Sequence, residues 1–117
     1  VKILLVDDEP EILRLYQELL EGNGHEVTAA QDGREALQCL DRKHYDLLVL
    51  DLYMPVVDGF EVIGEMKNRG EKIPIIVMTG HFPDDVVAER IRGMKVQEVL
   101  RKPVMITTLL NAVNRVV

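Results

Sequence analysis

At 117 residues the chain suits a single domain spanning 1–117, long enough to bury a core without disulfide or metal staples. Its net charge of -6 argues against a nucleic-acid-binding surface, which needs clustered Lys and Arg, and no apolar run approaches the length of a membrane span. Cys39 is the only cysteine, so no intrachain disulfide can form; with no signal-peptide pattern at the start of the chain, the expected location is cytoplasmic.

Ile3-Leu4-Leu5-Val6 is an apolar run of strand length that ends in Asp7-Asp8-Glu9-Pro10. Pro10 suits the first turn of a helix, and Ile12, Leu13, Tyr16, Leu19 and Leu20 follow at helical spacing until Gly22 and Gly24. Tyr16 reads as core packing on that stripe. His25 to Ala30 form a second strand, and Asp32-Gly33 caps a helix carrying Ala36, Leu37 and Leu40. Leu47 to Leu50 then form a continuous apolar run, as expected of a central parallel strand covered on both faces, and deliver Asp51 at its carboxyl end. A helix N-cap is the plainest use of such an Asp, but Met54-Pro55 follows too soon for a helix to start there.

Asp58-Gly59 leads into a third helix with Phe60, Ile63 and Met66 on one side, closed by Gly70. Ile73 to Met78 read as a fourth strand with Pro74 near its start, ending at Thr79-Gly80. Pro83-Asp84-Asp85 starts a helix through about Arg92, and Val96 to Arg101 make a fifth strand ending in Lys102-Pro103. A last helix carries Leu109, Leu110, Val113 and Val116, with Met105 where a capping Ser or Asp is expected. Strands alternating with helices imply an α/β fold with a doubly wound, five-stranded parallel sheet and helices on both faces.

The strand ends thus carry Asp7 and Asp8, Asp51, Thr79 and Lys102. In open α/β sheets, ligands collect outside the carboxyl ends of the strands. Two unit charges about 5 Å apart at an effective dielectric near 20 repel by roughly 3 kcal/mol, so three ionised Asp side chains call for a cation. Hard oxygen donors suit Mg²⁺. A carboxylate beside such an ion, with an ammonium and a hydroxyl to share charge on phosphoryl oxygens, has what nucleophilic attack on phosphorus requires. Asp51 is the nucleophile in this reading, Lys102 the charge clamp and Thr79 the hydroxyl donor.

These residues resemble the response-regulator receiver domain of two-component signalling, over essentially the whole chain. The resemblance rests on Val6-Asp7-Asp8-Glu9, Asp51-Leu52-Tyr53-Met54-Pro55 with Asp58-Gly59, Thr79-Gly80 and Lys102-Pro103, in order and at family spacing. It implies a flavodoxin-like strand order 2-1-3-4-5. It also implies that Asp51 accepts a phosphoryl group from a histidine kinase, a histidine phosphotransfer protein or a small phosphodonor. Asp8 and Asp51 would bind Mg²⁺ directly with the backbone carbonyl of Tyr53, Asp7 largely through water, and the peptide before Pro103 would be cis. The domain would be a regulatory phosphoacceptor that assists its own phosphorylation and dephosphorylation, not a metabolic enzyme. Its output surface would be the fourth helix, fifth strand and fifth helix, facing an output domain, a partner or a second copy. With no linker visible, the chain is expected to be a stand-alone receiver or a piece of a longer regulator.

Two positions depart from the family pattern. Val99 stands where an aromatic side chain on the fifth strand follows the movement of the residue matching Thr79, and Arg92 to Gln97 replace the usual Gly-Ala turn. Either the output runs through backbone and fourth-helix movement, or the coupling is weakened. Tyr53 and His81 lie two positions beyond Asp51 and Thr79, at the rim of the site, where they are expected either to screen the acyl phosphate from water or to have no kinetic role. Two other function classes meet parts of the pattern. One is an interaction module that has kept the site without using it. The other is an Mg²⁺-dependent phosphohydrolase with an Asp nucleophile, which needs a second Asp where this chain has Tyr53.

Overall fold

The computed structural model describes residues 1–117. In chain order the elements are β1 (Lys2–Val6), α1 (Pro10–Gly22), β2 (Glu26–Ala30), α2 (Gly33–Arg42), β3 (Leu47–Asp51), α3 (Gly59–Asn68), β4 (Ile75–Thr79), α4 (Asp84–Arg90), β5 (Val96–Arg101) and α5 (Ile106–Val116). All strand pairs are parallel, and the sheet runs β2-β1-β3-β4-β5, the doubly wound order expected. The radius of gyration of 12.8 Å is that of a compact chain of this length.

Successive strand residues point to opposite faces, and both faces of the central strands are covered. Leu4, Val6, Leu48, Leu50 and Val77 pack with Ala36, Leu40, Phe60, Ile63 and Met66 of α2 and α3. Ile3, Leu5, Leu47, Val49, Ile76 and Met78 pack on the other side with Leu13, Tyr16 and Leu20 of α1 and Leu109, Ala112 and Val113 of α5. This double burial explains why β3 and β4 read as unbroken apolar runs.

The helix starts differ in a way that matters for the site. Pro10 opens α1, whose N-cap Glu9 makes no side-chain cap bond. At α2 the Asp32 side chain accepts from the Glu35 amide, and at α3 Asp58 and Glu61 form a reciprocal capping box. Met105 precedes α5 without a side-chain cap, the feature its sequence foreshadowed. Elsewhere the ends shift by a residue or two: β4 begins at Ile75 rather than Ile73, and α4 ends at Arg90, with Gly93 at φ +78° in the turn toward β5.

Candidate functional site

The sheet reverses direction of growth at β1, since β2 lies on one side of it and β3 on the other. Val6 pairs in register with Leu50, so the next residue of each strand, Asp7 and Asp51, leave the sheet side by side. Asp7, Asp8 and Asp51 each offer a carboxylate oxygen, and these atoms lie within 4.8 Å of one another. Asp7 is fully buried and Asp51 is 3% exposed, an unusual place for two carboxylates unless a cation is near.

Lys102 supplies one. It follows β5, its amide donates to the Thr79 carbonyl at 2.7 Å, and its side chain reaches back over the strand ends. The Nζ donates to Asp7 Oδ2 at 2.9 Å and to Asp51 Oδ2 at 3.1 Å, with Glu9 Oε1 at 3.7 Å. Backbone amides complete the first two carboxylates: Glu9 donates to Asp7 Oδ1 at 3.0 Å and Tyr53 to Asp51 Oδ1 at 3.2 Å. Burial alone would lower Lys102, but its bonds to Asp7 and Asp51 outweigh that and hold the ammonium above the ordinary lysine range. For Asp51 burial dominates, partly offset by Lys102, and the carboxyl is pushed up to about 6.

Three carboxylates against one ammonium leave an excess of negative charge at the place where the oxygens converge. Such a set of hard oxygen donors fits Mg²⁺, which keeps some of its waters and needs few protein ligands. Asp7, Asp8 and Asp51 are the residues that can hold it.

Thr79 ends β4, paired with Arg101 in register, and is 1% exposed. Its Oγ1 is buried with no hydrogen-bond partner, a costly state for a hydroxyl and a sign of a donor positioned for something else. The Lys102–Pro103 peptide is cis, as expected. Val99 is not gathered into the site: it is 45% exposed and lines, with Thr79, Val87, Ile91 and Arg101, a cleft between β5 and α4.

Gly59, which the sequence marks beside Asp58 as a helix start, has a reason that only the structure gives: a Cβ there would stand 2.6 Å from the Asp51 carbonyl oxygen and 2.6 Å from Leu52 Cα, so only glycine lets α3 start against the end of β3. Its amide donates to the Leu52 carbonyl at 2.9 Å. Gly33 does the same on the other side, where a Cβ would meet the Val57 carbonyl oxygen at 2.4 Å. The segment after Asp51 is thus clasped between the starts of α2 and α3. At its tip Val56 has φ +68°, and Val57 donates to the Pro55 carbonyl at 2.8 Å, a three-residue turn that is strained for a β-branched residue.

Aromatic rings form the rim. Tyr53 and His81 stack with centroids 3.9 Å apart and planes 18° from parallel. Phe82 lies beyond, 6.2 Å from Tyr53 and edge-on to Phe60 at 5.1 Å, and the Arg90 guanidinium covers Phe60 at 3.8 Å. The two rim residues singled out in the sequence are therefore in contact, and the chain of rings runs on into α3 and α4.

The model of the response regulator receiver domain family matches residues 3–114. Response regulator MprA of Mycolicibacterium vanbaalenii is 38% identical over 112 residues, 94% of this chain and 47% of that protein. The chain thus spans about half the length of the curated relatives it matches. Among solved structures, the chemotaxis protein CheY4 of Vibrio cholerae aligns with a TM-score of 0.90 at 30% identity, covering 100% of this chain and 98% of that one. The response regulator TrrA of Thermotoga maritima, solved in complex with Mg²⁺-BeF, aligns at 0.83 and 33% identity over 99% and 98% of the two chains. With its strand order, its carboxylate cluster and this match over nearly its whole length, the chain belongs to the response regulator receiver domain family.

Proposed function

We propose that this receiver domain is a phosphorylation-dependent switch of a two-component system, with Asp51 as phosphoacceptor. The observation that carries this reading is the convergence of Asp7, Asp8 and Asp51 on one point, with the Lys102 ammonium bridging two of them. In the phosphoryl donor, a histidine kinase or a histidine phosphotransfer protein, the transferred group is bonded to an imidazole nitrogen. An Asp51 oxygen attacks phosphorus, a new P–O bond forms, and the P–N bond breaks with its electron pair left on the imidazole. A small phosphodonor would lose its own leaving group in the same way. Lys102 stays within reach of the phosphoryl oxygens, and the buried Thr79 hydroxyl gains in them the acceptor it lacks.

Mg²⁺, held by Asp7, Asp8, Asp51 and the backbone carbonyl of Tyr53, would supply the positive charge that offsets the crowding of negative oxygens. The residue after next from Asp51 is Tyr53, whose ring stacks on His81 and has no acid suited to hydrolysing a metabolite, which favours regulation over metabolic phosphohydrolysis. Movement of Thr79 toward the phosphoryl group pulls on Gly80, His81 and Phe82. Through the ring contacts this reaches α3 and α4, a route that does not need an aromatic at Val99. The face formed by α4, β5 and α5, where Val86, Val99 and Ile106 are exposed, passes the change to an output region, a partner or a second copy.

Beryllium fluoride tests the acceptor role without a donor. With Mg²⁺ present it should raise the melting temperature of the wild type by several degrees and leave Asp51→Asn unchanged, since a ligand of the folded state alone stabilises it. Equal stabilisation of both proteins would contradict the proposal.

A further inference from the structure

The hydroxyl of Tyr16, which the periodicity of α1 places in the core, does more than fill space. The side chain is 4% exposed, and its Oη donates to the Val104 carbonyl at 2.7 Å, a buried bond across 88 positions of sequence. Val104 is two residues beyond Lys102, with the cis Lys102–Pro103 peptide between them. Pro103 has no amide proton to give. The segment carrying Lys102 is fixed on its β4 side by the Lys102 amide bond to the Thr79 carbonyl and by Gly80, where a Cβ would come within 3.1 Å of Lys102 Cβ. On the α1 side it borders a cleft of about 370 Å³ lined by Glu9, Ile12, Tyr16, His81, Lys102 and Val104. The Tyr16–Val104 bond ties the segment to α1 on that side, together with the packing of the buried Val104 in the core.

We infer that Tyr16 is a positioning residue that holds the β5–α5 connection so that the Lys102 ammonium stays pinned to Asp7 and Asp51. The inference rests on the phosphoacceptor reading for its functional meaning, but it makes a separate physical claim. The Lys102 ammonium holds Asp7 Oδ2 and Asp51 Oδ2, two of the three carboxylates that would hold Mg²⁺, so the two cations would compete for that negative charge. Loosening Lys102 therefore strengthens Mg²⁺ binding while weakening phosphoryl transfer, which needs the ammonium in place. A residue with a merely structural role would weaken both or change neither.

The test is Tyr16→Phe, alone and combined with Lys102→Ala, in a Mg²⁺ titration of the unphosphorylated protein. Tyr16→Phe should tighten Mg²⁺ binding by about threefold, a small part of the Coulomb effect of removing the ammonium altogether, as expected of a partial loosening. In the Lys102→Ala background the same substitution should have no effect on Mg²⁺ affinity. Labelling of Tyr16→Phe by acetyl phosphate at saturating Mg²⁺ should be slower than wild type by about tenfold, as for a displaced charge clamp. An unchanged Mg²⁺ affinity in Tyr16→Phe, or an equal change with and without Lys102, would overturn the inference. Failure of the wild type to be labelled would instead overturn the phosphoacceptor reading, and the Mg²⁺ cycle would still decide the role of Tyr16.

Discussion

Asp51 holds two properties in tension. It lies at the end of an apolar strand, and burial pushes its carboxyl up to about 6 from the ordinary 3.8, while Lys102 pulls the other way. In the folded protein it therefore binds its proton more tightly than in the unfolded chain, and stability falls as pH rises from about 4 to about 6. The cost at neutral pH is at most roughly 3 kcal/mol for a shift of that size. Lys102, held above the ordinary lysine range, contributes stability that is constant over this interval and is lost only in strong alkali. Without Mg²⁺, Asp51→Asn should thus melt several degrees above wild type at pH 7.5, and the gain should shrink toward zero at pH 4, as followed by circular dichroism. A mutant less stable than wild type at both pH values would mean that the carboxylate is a structural hydrogen-bond acceptor.

Val56 is a second residue whose environment opposes its chemistry. At φ +68° and 82% exposed, it has little packing to lose. Relief of strain worth 1–3 kcal/mol, less the entropy a glycine adds to the unfolded chain, should make Val56→Gly more stable by about 1 kcal/mol in urea unfolding. No pattern in the sequence marks Val56, since positive φ is set by the closing of the loop around it. Asp51, by contrast, was legible as a carboxylate at the end of an apolar run, and Lys102 as a lysine before a proline. The strand-end pattern already put the two in one site; what the structure adds is that the Lys102 ammonium bonds Asp51 Oδ2 directly, across 51 positions of sequence, and shares itself with Asp7.

The elements were readable for the same reason that the core is stable. β3 and β4 are buried on both faces and so appear as unbroken apolar runs, while α1, α2 and α5 bury one stripe each and appear as periodic patterns. The short α4 was less well bounded, because only Val87 of its residues is buried and its end is set by the turn at Gly93. Weak burial of α4 also makes it the element most easily moved. Its link to the site is the run of rings from Tyr53 and His81 through Phe82 and Phe60 to Arg90, a contact set between side chains that no periodicity reports. Stacked Tyr53 and His81 cover the rim as one unit, so either substitution should open it. Tyr53→Ala and His81→Ala should each speed loss of the phosphoryl group about threefold or more, with the double mutant no faster than the faster single, a non-additive result expected of residues in contact. Unchanged rates in both single mutants would show that the rim has no kinetic role.

For the whole molecule, the site follows from topology. Its carboxylates, hydroxyl and ammonium all stand at carboxyl ends of adjacent parallel strands, around the point where the sheet changes its direction of growth. At the opposite strand ends Lys2, Glu26 and Asp46 are exposed and gather into no such cluster. No helix is long and apolar enough to cross a membrane, and the chain spans 47% of the length of the MprA response regulator it matches. The central claim is that Asp51 takes a phosphoryl group with the help of Mg²⁺. Intact mass after incubation with acetyl phosphate tests it most directly, with and without Mg²⁺, on wild type and Asp51→Asn. The account predicts a gain of one phosphoryl group in the wild type only, and only with Mg²⁺. No gain, or an equal gain in Asp51→Asn, would contradict it.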